Sequence, residues 1–397
     1  MVSKKVGEIA PSLTLEITAK AKKLKAEGVS IIGFGAGEPD FNTPQYIIES
    51  AKKALDTGFT KYTPASGMPE LKEAICKKFL KDNSLEYEPS QIVVSTGAKS
   101  SLFHAICAMT NEGDEVILPS PYWLTYPELV KLAGGKTVLV KTEAKNGYKM
   151  TAEQFLEAIT EKTKLLILNS PNNPTGAVYS KEELLAIAQI CEEKGVYVIS
   201  DEIYEKLVYG GEKHYSIAAL SPYMKEHTVV VNGMSKSYSM TGWRIGYLAA
   251  PKEIAKAVSS MQSHTTSNAC SIAQYASVTA LESEESDKFI EKMQETFNER
   301  RKYMVKTLQS TEGIILPEPK GAFYVFADVS AFYGKNFMGE KVKDSLSFAE
   351  LALKKGVAVV PGIAFGDDDC IRLSYAISID DIKEGLARLT DFIAELN

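Results

Sequence analysis

Residues 232–247 read NGMSKSYSMTGWRIGY, and the runs on either side of them decide the fold. Before them, Thr228–Val231 is a β-branched run, the pattern of a buried strand. After Arg244, Ile245–Ala249 is a second apolar run. The first run stops at Asn232-Gly233, which predicts that Lys236 is held on a turn at a strand's end. Arg244 follows eight residues later, with Gly242 and Gly246 read as leaving room around it. A lysine so placed can form a Schiff base with an aldehyde. An arginine beside it can grip a phosphate in bidentate fashion. The segment therefore suits a ligand that carries both groups, as pyridoxal phosphate does.

Working outward, short apolar runs alternate with amphipathic stretches. Ile92–Ser95, Glu115–Leu118, Thr137–Val140, Leu165–Leu168 and Val196–Ile199 precede the two runs already named, and helical patterns such as Ser180–Lys194 lie between several of them. That alternation predicts an α/β fold with a mostly parallel seven-stranded sheet sandwiched by helices. Beyond about residue 285 the texture changes. A long charged helix over Ser286–Gln309 leads to Gly321–Ala327, Val357–Val360, Ile371–Ser374 and a final helix, which predicts a smaller α+β domain. The expected division is a large domain over 45–285 and a small one made of 1–44 and 286–397. A helix over about Pro11–Glu27 is expected to pack with the small domain.

The chain's bulk properties exclude several function classes. With 397 residues it exceeds one ordinary core. Its net charge of −6 offers no general basic surface for nucleic acid. No apolar run approaches a membrane span, and no apolar segment opens the chain as a secretion signal would. The five cysteines are dispersed, which fits a reducing, cytoplasmic setting and argues against a disulfide framework. The four histidines lack metal-ligand spacing, so no metal site is expected.

In open α/β sheets ligands bind beyond the carboxyl ends of the strands. Gly97-Ala98-Lys99, Asn173, Asp201 with Tyr204, and Lys236 all fall just after predicted strands. A glycine turn, an amide, a carboxylate and an amine brought to one edge make a site. Two rival phosphate motifs fail. Gly33-Phe-Gly35-Ala-Gly37 is followed by Glu38, which breaks the dinucleotide fingerprint, and Gly135-Lys136-Thr137 lacks a P-loop glycine at Val130.

Taken together, the motifs resemble those of the class I/II aminotransferases, the fold-type I enzymes dependent on pyridoxal phosphate, and among them the bacterial-type aspartate aminotransferases. The likeness runs through the whole chain: Ala36-Gly-Glu-Pro-Asp40, Lys61-Tyr62, Ser95-Thr-Gly-Ala-Lys99, Pro121-Tyr-Trp123, Asn172-Asn-Pro-Thr-Gly176, Ser200-Asp-Glu-Ile-Tyr204, the Lys236 segment and Arg372-Leu-Ser374. It implies amino transfer between L-aspartate and 2-oxoglutarate through a Lys236 Schiff base, with Lys236 also the base at the substrate's α-carbon. It implies Asp201 on the pyridine nitrogen, Tyr204 and Asn173 on the ring oxygen, and Trp123 on the ring face. The phosphate would fall to Gly97, Ala98, Lys99, Ser235 and Arg244, and to Tyr62 reaching the neighbouring subunit of a homodimer with shared active sites. Arg372 would clamp the substrate's α-carboxylate, assisted by Gly37 and Asn173. Lys99, a cation at a helix start where the dipole disfavours it, would face the second carboxylate of a dicarboxylic substrate. Gly233 stands where some relatives carry a hydroxyl on the phosphate, so one hydrogen bond is expected to be absent. Preference for aromatic amino acids or prephenate, or a β-eliminating reaction on the same fold, would share these residues.

Overall fold

The computed structural model describes residues 2–397. The seven apolar runs form one sheet: β1 Ile92–Thr96, β2 Glu115–Ser120, β3 Lys136–Lys141, β4 Thr163–Asn169, β5 Tyr197–Asp201, β6 Thr228–Gly233 and β7 Ile245–Ala249, in the spatial order β1-β7-β6-β5-β4-β2-β3. All pairings are parallel except the two made by β7. Apart from the edge strand β3, where only Val140 is buried, the strands carry apolar runs because both faces are covered. Successive side chains enter opposite cores. Val116 and Leu118 pack with Leu102, Ile106 and Tyr126 on one face, whereas Ile117 joins Leu166, Leu184 and Ile187 on the other.

A second, smaller sheet lies in the C-terminal part of the chain. Tyr324–Asp328, Val360–Pro361 and Cys370–Ser374 form a three-stranded antiparallel sheet with Cys370–Ser374 in the middle. Phe297 of the long helix Glu284–Gln309, Phe348 of Ser345–Lys354 and Leu386 of Ile379–Ala394 bury themselves in its core. The N-terminal helix Leu13–Ala26 packs Ala21 and Leu24 against Leu353 and Ala358, and Ile32–Gly33 pairs in parallel with Val357–Ala358. The N-terminal segment thus packs against the C-terminal part of the chain.

This topology positions the site. Because β1, β4, β5 and β6 run the same way, Thr96, Asn169, Asp201 and Gly233 end at one edge of the sheet. The reversed β7 begins there, which brings Arg244, the residue before it, to the same edge.

Candidate active site

Lys236 occupies a turn three residues beyond the end of β6. The glycines near Arg244 act differently from the expectation. A Cβ on Gly246 would lie 2.1 Å from the Ala98 nitrogen, so this glycine admits the Gly97–Ala98 turn; Gly242 has nothing within 4 Å. The room for Arg244 comes from Gly97, whose positive φ of 80° needs glycine and whose missing Cβ would stand 2.3 Å from the Arg244 Nη2. Arg244 lies over the first turn of the helix Ala98–Met109, where backbone N–H groups favour an anion.

These elements enclose a cavity of about 630 Å³. Six cationic side chains line it (Lys22, Lys25, Lys99, Lys236, Arg244 and Arg372) against two carboxylates, Glu38 and Asp201. No ion pair engages any of the six among the described residues, in a chain whose net charge is −6. Arg372 is the clearest case. It is 3% exposed and donates to the Asn173 Oδ1 at 2.9 Å and the Gly35 carbonyl at 3.1 Å, while its Nε has no acceptor. The rings of Tyr324 and Phe365 lie 4.4 and 4.9 Å from the guanidinium carbon. Carbonyls and π faces hold this charge without neutralising it.

The amine and the carboxylate are both tuned by burial. The Lys236 Nζ donates to the Gly37 carbonyl at 2.5 Å. Burial brings its pKa down to about 8, with Arg244 and Arg372 acting in the same sense and Glu38 and Asp201 opposing. Asp201 is 3% exposed, and burial lifts its carboxyl to about 6 despite hydrogen bonds that favour the charged form. Those bonds come from the Tyr126 hydroxyl to Oδ2 at 2.7 Å and the Ile203 N–H to Oδ1 at 3.2 Å. The Tyr204 hydroxyl lies 3.1 Å from that of Tyr324, and the Asn173 N–H donates to the Asn169 Oδ1 at 2.9 Å. The Lys99 ammonium stands 4.8 Å from the centre of the Trp123 ring, its pKa lowered by burial and by Arg244.

The structure therefore gathers Gly37, Ala98, Lys99, Trp123, Asn173, Asp201, Tyr204, Ser235, Lys236, Arg244 and Arg372 around one cavity, with Gly97 beneath Arg244. Tyr62 is the exception: it is 91% exposed and lines no part of this cavity in its own chain. Sequence reasoning missed Tyr126, Asn169, Tyr324 and Glu38, and the contribution of the N-terminal helix through Thr14, Ile17, Lys22 and Lys25. Asn169 and Tyr126 had a usable signal, since one ends a strand and the other sits three residues after Trp123. The histidine spacing also hid a cluster. Glu202, Glu205 and His214 bring ligand atoms within 4.8 Å of one another. Burial works to raise the Glu205 carboxyl, yet the Lys78 ammonium paired with it prevails and takes it down to about 2. Glu202 accepts from Ser200, Ser216 and His214. The carboxylates of the cluster are engaged by these partners, whereas the buried His214 Nδ1 has none.

Comparison with known proteins follows this geometry. The family model for aminotransferase class I and II matches residues 29–389. The aspartate aminotransferase of Geobacillus stearothermophilus is 49% identical over 395 residues, covering 99% of this chain and 98% of its own. The aspartate/prephenate aminotransferase of Cereibacter sphaeroides is 45% identical over 399 residues, covering 100% and 99%. The crystal structure of the aspartate aminotransferase from Rhizobium meliloti superposes with a TM-score of 0.96 at 41% identity, with 100% of each chain covered.

Proposed function

The chain belongs to the class I and II aminotransferases and is an enzyme of that family, and from this premise we propose that it moves the amino group between L-aspartate and 2-oxoglutarate with pyridoxal phosphate held at Lys236. The observation that carries the reading is the placement of an amine, Lys236, in one cavity with a buried unpaired guanidinium, Arg372, and a buried carboxylate, Asp201. Pyridoxal phosphate, when bound, supplies an aldehyde that condenses with amines and a protonated pyridine ring that takes up the electron pair left at the substrate's α-carbon.

The residues present fit that group. The excess of unpaired cations suits a phosphate together with the carboxylates of a substrate. Arg244, Ser235 and the backbone of Gly97 and Ala98 would take the phosphate, Trp123 would cover the ring, and Tyr204 with Asn173 would reach its oxygen. Asp201 would meet the ring nitrogen, and Lys236 would bond to the aldehyde carbon. Tyr62, exposed on its own chain, would complete the phosphate site of a second copy in a two-fold homodimer.

The chain's own groups then do the following. Arg372 binds the substrate's α-carboxylate through its fork, with Asn173 and the Gly37 backbone on either side. Lys99 meets the distal carboxylate. The Lys236 Nζ, freed by the arriving amine, takes the proton from the α-carbon, and a pKa of about 8 suits it to act as base near neutral pH. We further propose that 45–285 holds the cofactor while 1–44 and 286–397 carry Gly37 and Arg372 against it.

Two measurements test the reading. Borohydride reduction of the purified holoenzyme followed by peptide mapping should place the label on Lys236; a label on another lysine would refute it. Enzyme mixed with aspartate and 2-oxoglutarate should form oxaloacetate. Pyruvate or ammonia instead would mean an eliminating lyase. A panel including prephenate and aromatic amino acids sets the range, since relatives at similar identity bear both the aspartate and the aspartate/prephenate names.

A further inference from the structure

Tyr126 has a contact that the reading above leaves unused. It is 1% exposed, at the second position of the helix Thr125–Ala133, directly after the turn that carries Trp123. Its hydroxyl donates to the Asp201 Oδ2 at 2.7 Å. Its ring meets the Trp123 ring edge-on, with centroids 5.4 Å apart and planes at 86°. Its backbone N–H donates to the Trp123 carbonyl at 3.0 Å, so the two side chains are fixed to each other within one turn.

We infer that Tyr126 is a positioning residue, which holds Asp201 as an aimed carboxylate and thereby keeps the ring proton on the pyridine nitrogen. The inference rests on the reading that pyridoxal phosphate lies between Trp123 and Asp201. Each Asp201 oxygen receives one donor from the protein: Oδ2 from Tyr126 and Oδ1 from the Ile203 N–H. Two donors from fixed elements leave the carboxylate little freedom to turn, and each oxygen retains a lone pair for the ring nitrogen. The sense of the Tyr126 bond is secure. Burial and the Asp201 charge both raise the phenol's pKa well above its ordinary value, so the hydroxyl keeps its proton.

A donor on a carboxylate lowers that carboxylate's own appetite for a proton. In a carboxylate–pyridine pair the shared proton then stays on nitrogen, where it makes the ring an electron acceptor. Without the hydroxyl, Asp201 retains only the Ile203 N–H, and the surrounding apolar burial pulls the proton onto oxygen. The Tyr126 hydroxyl bonds to Asp201, whereas Arg372, the proposed clamp of the α-carboxylate, bonds to Asn173 and the Gly35 carbonyl. The cost should therefore fall on turnover and not on affinity.

The test is Tyr126→Phe, which keeps the ring against Trp123 and removes only the hydroxyl. The holoenzyme is loaded with pyridoxal phosphate labelled with nitrogen-15 in the ring, and the nitrogen resonance is compared with wild type. We expect the resonance to move toward that of unprotonated pyridine. We expect kcat for aspartate to fall about 10-fold, the scale of one hydrogen bond to a charged group, with KM unchanged. An unchanged resonance, or a raised KM with unchanged kcat, overturns the inference. If the Phe variant does not fold, p-aminophenylalanine at position 126 keeps the ring and offers a weaker donor. It should move the resonance in the same sense by less, and no movement overturns the inference equally. A wild-type enzyme that carries no label on Lys236 after borohydride reduction would instead sink the underlying function and leave these outcomes without a subject.

Discussion

Asp201→Asn should stabilise the cofactor-free protein while disabling the enzyme, and the size of the effect follows from the burial of one carboxyl. An unfolded chain ionises Asp201 near 3.8 and the folded one near 6, so the folded state binds this proton more tightly. Stability from this group is complete below about 3.8, is lost as pH climbs toward about 6, and stays lost above it. At about 1.4 kcal/mol per pH unit the full loss is about 3 kcal/mol. The side chain is almost entirely buried, so solvent screening takes little from that figure. Asparagine has similar shape and can still accept from Tyr126 through its oxygen; its NH2 then faces the Ile203 N–H, a cost that does not vary with pH, and it never has to carry charge. Urea unfolding of wild type and variant, stripped of cofactor and at equal protein concentration, should show a gap in the variant's favour. The gap should widen by about 1–1.5 kcal/mol between pH 5 and pH 8. Adding pyridoxal phosphate should close or reverse it, because the ring nitrogen gives the wild-type carboxylate its counter-charge. A gap that does not change with pH would refute the reasoning, whatever its size.

Three further outcomes are expected. Capture of pyridoxal phosphate by the cofactor-free protein should quicken about tenfold per pH unit below pH 8 and level off above it, because the neutral Lys236 amine is the nucleophile; stopped-flow absorbance with no break below pH 10 would contradict the depressed pKa. Lys99→Ala should lower kcat/KM for aspartate at least about tenfold more than for phenylalanine, as the loss of one charge-assisted contact requires; equal losses would assign Lys99 to the phosphate. Mixing Tyr62→Phe protein with Lys236→Ala protein should yield hybrid dimers with one fully equipped site, and activity that stays at the Tyr62→Phe level would end the shared-site reading.

The sheet was legible because its strands, the edge strand β3 apart, are covered on both faces and so read as separate apolar runs. The candidate site was legible because topology delivers strand ends to one edge, where Asp201 ends β5 and Asn173 and Lys236 follow β4 and β6. What escaped was whatever depends on side-chain direction across distant segments. Tyr126 could be read as core, and it is core: its ring packs with Leu102 and Ile106, and only the hydroxyl reaches Asp201. Tyr324 belongs to an alternating strand whose pattern does not say that one ring will lie over Arg372. The roles of Gly242 and Gly246 were misread for a related reason. Proximity in sequence to Arg244 suggested that they made its space, but the antiparallel pairing of β7 with β1 sets Gly246 beside Gly97, and Gly97 is the residue Arg244 covers.

The choice of neutral partners around the cations is what leaves the cavity open to charged ligands. Arg372 could have been satisfied by an aspartate at the position of Asn173, and an internal ion pair would then compete with every incoming carboxylate. Instead it rests on an amide oxygen, a peptide carbonyl and two aromatic faces, with its Nε left over. Lys236 likewise rests on the Gly37 carbonyl, and Arg244 on that of Thr241. The same protein pairs buried cations elsewhere, Lys78 with the buried Glu205 and the buried Arg301 with the half-exposed Glu318. Arg372, buried and held without a carboxylate partner, therefore differs from these two. Burial first, and then the neighbouring cations, lower the pKa values of Lys236 and Lys99, while Glu38 and Asp201 oppose the shift at Lys236. Under the proposed function, the packing of Asn173, Gly35 and Tyr324 bears on the affinity for anionic ligands, because it leaves the Arg372 charge without a carboxylate partner.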